Sequence, residues 1–77
     1  MTQLELYVIP GCPYCKVVID YMDEQGIEYQ ELNIYADEES KKNLVEVGGK
    51  VQCPCLFIDG QPMYESQAIL NYLKANH

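Results

Sequence analysis

Gly11-Cys12-Pro13-Tyr14-Cys15 places two thiols three residues apart with a proline between them. An apolar run from Leu4 to Ile9 precedes this stretch, and a second run from Lys16 to Gln25 follows it. The first alternates Leu4, Leu6 and Val8 with Glu5, Tyr7 and Ile9, the period of a strand whose later part is buried on both faces. The second continues a stripe of Cys15, Val18, Ile19 and Met22 at helical spacing, with Asp20, Asp23 and Glu24 off that stripe. The cysteine pair therefore stands where a strand gives way to a helix, a context that points to dithiol redox chemistry rather than a structural metal. A helix N-terminus carries partial positive charge and unpaired N–H groups, and both favour a thiolate placed there. Cys12 falls at the helix mouth and Cys15 one turn in, while Pro13 suits the first turn because its missing N–H costs little there. Residues three apart on a helix have Cβ atoms about 5–6 Å apart, whereas a relaxed disulfide wants about 3.5–4.5 Å. The bond can close at the helix start with some strain and should open readily. Cys12 is expected to be the attacking thiolate and Cys15 the resolving thiol, with Tyr14 on the exposed rim as spacer or cleft wall.

The bulk numbers narrow the function classes. Seventy-seven residues make one domain, spanning 1–77, with a modest core. Twelve acids against five bases leave a net charge of −7, which argues against nucleic acid and against anionic membrane surfaces. No apolar run approaches the ~18 residues of a membrane span. Met1-Thr2-Gln3-Leu4-Glu5 lacks a basic start followed by a long apolar segment, so a cytoplasmic, reducing setting is expected. The sole histidine, His77, is the last residue and reads as a frayed end, which leaves Cys–His and Ser–His–Asp schemes without an internal base.

Further along, Tyr29 to Ile34 reads as a second strand. Asp37 is a plausible cap for a second helix, with Asp37–Lys41 and Glu38–Lys42 as i, i+4 pairs, Leu44 and Val47 as its apolar face, and Gly48-Gly49 as its end. Cys53-Pro54-Cys55 opens a third strand from Cys55 to Ile58, and Asp59-Gly60 is a strong hairpin turn. A short fourth strand around Met63 and Tyr64 follows, and Ser66 is expected to cap a last helix with Ile69, Leu70 and Leu73 inward. The order is β-α-β-α-β-β-α, an α/β chain with a four-stranded mixed sheet flanked by three helices.

That order, with Cys12-Pro13-Tyr14-Cys15 after the first strand, resembles the dithiol glutaredoxins over nearly the whole chain. Phe57-Ile58-Asp59-Gly60 is similar to the family's hairpin, Pro54 falls where the thioredoxin superfamily carries a cis-proline, and Lys50 falls near a basic residue that precedes it. The resemblance implies a thioredoxin-like fold and a glutathione site. In that site the Cys53 backbone before Pro54 pairs with the cysteinyl part of glutathione as an added strand, Lys50 faces a carboxylate, and Tyr14 borders the cleft. The chain departs from the family at Gln52-Cys53, where Thr-Val is usual, and in having no lysine before Cys12. It also lacks the Gly-Gly and acidic pair after the hairpin. In their place Glu65-Ser66 resembles the Glu/Gln-Ser pair of glutathione S-transferase N-terminal domains. That resemblance implies that Ser66 receives the γ-glutamyl carboxylate at a helix N-terminus and Glu65 its ammonium; without it, Ser66 is only a cap and Glu65 a first-turn acid. At this length the helical second domain of a full transferase is not expected.

The implied function is glutathione-dependent thiol–disulfide exchange. Glutathione is a co-substrate, no cofactor is held permanently, and the partners are disulfide-containing or glutathionylated proteins met by a monomer. A redoxin fed by thioredoxin reductase is the neighbouring reading. Cys53 and Cys55 leave other readings open: buried inert thiols, an alternative disulfide through Cys53, or a zinc or iron–sulfur site using Cys12, Cys15, Cys53 and Cys55.

Overall fold

The computed structural model describes residues 3–76; Met1 and Thr2 of the leading segment, and His77, lie outside the described residues. The elements follow the expected order: β1 (Leu4–Val8), α1 (Pro13–Glu24), β2 (Gln30–Asn33), α2 (Glu38–Gly48), β3 (Cys55–Ile58), β4 (Gln61–Tyr64) and α3 (Ser66–Asn76). The strands form one mixed sheet in the order β2-β1-β3-β4. β1 pairs parallel with β2 and antiparallel with β3, and β3 pairs antiparallel with β4. The tight turn between β3 and β4 has Asp59 and Gly60 both at positive φ, 51° and 87°, as a primed hairpin turn requires.

The pleat of the sheet divides the core. Leu4, Leu6 and Val8 of β1 and Leu56 of β3 face α1 and α3, where they meet Cys15, Val18, Met22, Ile69 and Leu73. The opposite face carries Tyr7, Cys55 and Phe57 against Ile34 and Leu44, with the Tyr7 and Phe57 rings 4.7 Å apart. Asn43 Nδ2 of α2 donates to the Tyr7 hydroxyl at 2.6 Å, so the buried phenol has a partner. Truncating a fully buried leucine such as Leu6 or Leu44 costs about 2–5 kcal/mol, because lost transfer energy and a residual cavity add.

Helix α1 begins at Pro13 with Cys12 at its mouth, as expected, and the Cys12 carbonyl accepts the first helical bond from Lys16 N–H at 3.1 Å. Two local expectations change. In α2, Leu44 is buried but Val47 is 49% exposed, and Ser40 takes the second inward place. The Asp37 carboxylate is committed to its cap, accepting from Glu39 N–H at 3.1 Å and Ser40 Oγ–H at 2.8 Å, and Lys42 reaches Glu46 at 4.0 Å rather than Glu38. No helix among the described residues is long and apolar enough to cross a membrane.

Candidate active site

Cys12 is the N-cap of α1, in extended backbone conformation, and its Sγ accepts the Cys15 N–H at 3.2 Å. The sulfur thus takes up one of the donors that a helix start leaves unpaired. Such a bond strengthens when the acceptor carries negative charge. Gly11, at φ +72°, provides the left-handed step by which the chain leaves Pro10 and enters the cap. Cys15 lies beneath, only 2% exposed. Burial first, and then the neighbouring Cys12 sulfur, push the Cys15 thiol up to about 12. The half-buried sulfur at the helix mouth and the closed-off one below it therefore differ in access and in surroundings.

On one side of this pair, a groove of about 190 Å³ is lined by Tyr14, Gln52, Cys53, Pro54, Glu65 and Ser66. The Cys53–Pro54 peptide bond is cis. The groove joins the redox turn, through Tyr14, to the loop before β3 and to the start of α3. Five of the six residues expected at a glutathione site meet there. The sixth, Lys50, is not among the lining residues. Its ammonium lies 4.7 Å from the centre of the Tyr64 ring, and the Tyr64 hydroxyl donates to the Lys50 carbonyl at 2.9 Å. Gln52 also lines the groove, a place that its position two residues before Pro54 signals but its residue type does not.

The start of α3 differs from expectation by one residue. Glu65, not Ser66, occupies the cap position, since its carbonyl accepts the Ile69 N–H at 3.1 Å. Ser66 is the first helical residue, so its N–H is one of the donors without a partner inside the helix. Glu65 holds φ +72°, a left-handed backbone uncommon for a residue with a side chain. Backbone strain of this kind costs of order 1 kcal/mol or more and concentrates at ligand sites.

A larger concavity of about 610 Å³ lies on the other side of Cys12, between Ile9, Lys16, Asp20 and the end of β2 at Glu31 and Asn33. Parallel pairing sets Asn33 opposite Val8, which brings the end of β2 beside the redox turn. Sequence periodicity alone does not give that adjacency.

Cys53 packs against the apolar clusters on both faces of the sheet, whereas Cys55 belongs to the rear one alone. Cys55 starts β3 and packs with Phe57 in the cluster behind the sheet, fully buried, whereas Cys12 and Cys15 belong to the front. Cys53 precedes the strand, so the two-residue alternation does not reach it. Burial pushes Cys55 up to about 11, and burial followed by Cys12 pushes Cys53 up to about 11. Among the described residues no three His, Cys, Asp or Glu side chains come together as a metal site, and the four-thiol zinc or cluster alternative is not favoured.

Known proteins agree with this geometry. Residues 4–63 match the glutaredoxin family. A glutaredoxin 1 from Rickettsia conorii is 30% identical over 71 residues, which is 90% of this chain and 70% of that one. A glutathione transferase Omega 3C from Trametes versicolor superposes with a TM-score of 0.80 at 27% identity, covering 95% of this chain and 33% of that one. A buckwheat glutaredoxin–glutathione complex gives a TM-score of 0.76 at 19% identity, covering 96% and 70%. With its dithiol turn at a strand–helix junction on a thioredoxin-like fold, this chain belongs to the glutaredoxin family of thiol–disulfide oxidoreductases.

Proposed function

We propose that the chain uses glutathione to reduce glutathionylated proteins and protein disulfides. Cys12 is the nucleophile. Its thiolate attacks the substrate disulfide, and the leaving thiolate takes a proton from water. Cys15 then loses its proton, attacks the Cys12 sulfur and expels the other half, leaving a Cys12–Cys15 disulfide that two glutathione molecules reduce. The exchange needs a thiolate, access and a good leaving thiol, so no resident cofactor is required.

The observation that carries the glutathione assignment is the groove in which Tyr14, Cys53 and Pro54 meet Glu65 and Ser66 beside Cys12. A peptide laid along the Cys53 backbone would enter it as an added strand. The free N–H at the start of α3 and the Ser66 hydroxyl suit the γ-glutamyl carboxylate, and the Glu65 carboxylate suits its ammonium. Likeness to a glutathione transferase supports the same end of the groove. Lys50 stays outside this set, because its ammonium rests on Tyr64.

The test is kinetic. Ser66→Ala and Glu65→Gln should each raise the KM for glutathione by about tenfold or more, the worth of a hydrogen bond to a charged group. Alkylation of Cys12 should proceed at the wild-type rate in both. Unchanged KM in both variants would remove the γ-glutamyl site, and with it the preference for glutathione over thioredoxin reductase as electron source.

A further inference from the structure

We propose that Cys53 is a second resolving thiol, which attacks the Cys12–glutathione mixed disulfide from the groove side while Cys15 attacks from the core side. The proposal rests on the glutathione-dependent reading above and adds a branch to it. Its basis is placement. Cys53 lines the same groove as Tyr14, the residue that separates Pro13 from Cys15 in the redox turn. Its side chain packs against the apolar cluster that Cys12 also packs against and that contains Cys15. It is half-buried where Cys15 is closed off, so a group lying in the groove reaches it without any opening of the core. The Cys12 sulfur raises Cys53, and Cys53 in turn raises Cys15, while Cys55 is fully buried in the cluster behind the sheet.

The step balances without a further oxidant. The mixed disulfide, formed when Cys12 takes glutathione from a glutathionylated protein or from glutathione disulfide, is the oxidised partner. Cys53 gives its proton to solvent, and its thiolate attacks Cys12 Sγ. A Cys12–Cys53 bond forms as the Cys12–glutathione bond breaks. The bonding pair leaves on the glutathione sulfur, which is protonated from water. The raised thiol of Cys53 makes this branch slow at neutral pH and faster as pH rises towards 11; the Cys15 branch rises in the same way and levels off only towards 12. Free glutathione reopens the Cys12–Cys53 bond by the reverse exchange.

The experiment uses the full chain and glutathione disulfide as the probe. Cys15→Ala removes the core-side thiol. Intact mass and peptide mapping after a brief exposure should show loss of the glutathione adduct, with Cys12 and Cys53 joined. In Cys15→Ala/Cys53→Ala the adduct should persist on Cys12. If the adduct persists equally in both chains, with Cys53 still open to alkylation, the proposal is overturned. Loss of the adduct from both chains overturns it as well, since another group would then be resolving. If Cys12 takes no glutathione at any time in Cys15→Ala/Cys53→Ala, where neither thiol can displace it, the glutathione-dependent reading falls and the branch falls with it. A thermal melt confirms that each chain is folded at the assay temperature, and Cys15→Ser replaces Cys15→Ala if needed, with the same outcomes.

Discussion

Iodoacetamide separates the four cysteines by their surroundings. Cys12 sits half-buried at a helix start with an N–H aimed at its sulfur, so it should be labelled first at neutral pH. Cys53 should follow slowly, since burial holds it as a thiol up to about 11. Cys15 and Cys55, closed off in the two halves of the core, should react only through opening of the fold. A time course of peptide masses checks the order, and labelling of Cys15 ahead of Cys12 would reverse their roles. At this scale the sequence is most and least informative in turn. Two cysteines around Pro13-Tyr14 announce their chemistry because spacing alone constrains it. Glu65 gives no such announcement: a glutamate in left-handed backbone, capping a helix in place of the serine beside it, follows from how β4 hands the chain to α3.

Among elements, the junction of α2 with β4 carries a test of packing. A Cβ added at Gly48, the last residue of α2, would collide with the Tyr64 hydroxyl. That hydroxyl is already tied to the Lys50 carbonyl, so it is not free to swing away. Gly48→Ala should therefore destabilise the chain, by about 1 kcal/mol or more in denaturant melts, although alanine exceeds glycine in helix propensity by nearly that amount. Tyr64→Phe should return part of the loss in the double variant, which the Gly48→Ala chain alone cannot do. The elements themselves were legible from periodicity, since alternation in β1 and the 3.6-residue stripe of α1 each have one burial solution. Val47 shows the limit. Its spacing from Leu44 suits an inward face, but α2 is only partly covered by the sheet, and the edge of its apolar stripe stays in water.

For the whole molecule, stability against pH follows from groups the fold prefers neutral. Cys15 is raised to about 12 and Cys53 and Cys55 to about 11, all from an ordinary 9.0, with burial the largest cause in each. The unfolded chain releases these protons first, so stability is full below about pH 9 and declines as pH climbs through 11 and 12. Tyr29, raised to about 12 by burial and by Asp23, adds to the upper part of that decline. Urea midpoints measured under reductant at intervals across this range check the sign, and a midpoint rising above pH 9 would contradict it. Sheet order and the separation of Cys55 from Cys12 and Cys15 emerge only here. Neither is written in any one segment; both arise from which strands neighbour which.

One atom, the sulfur of Cys12, both caps a helix and, in the function proposed above, begins the reaction. Whatever bonds to that sulfur also edits the first turn of α1, because the amide of residue 15 loses or regains its acceptor. The oxidised form is therefore expected to differ from the reduced one at the amide of residue 15 as well as in covalent state. A protein that must bind one form and release the other needs only to sense how that turn is fastened.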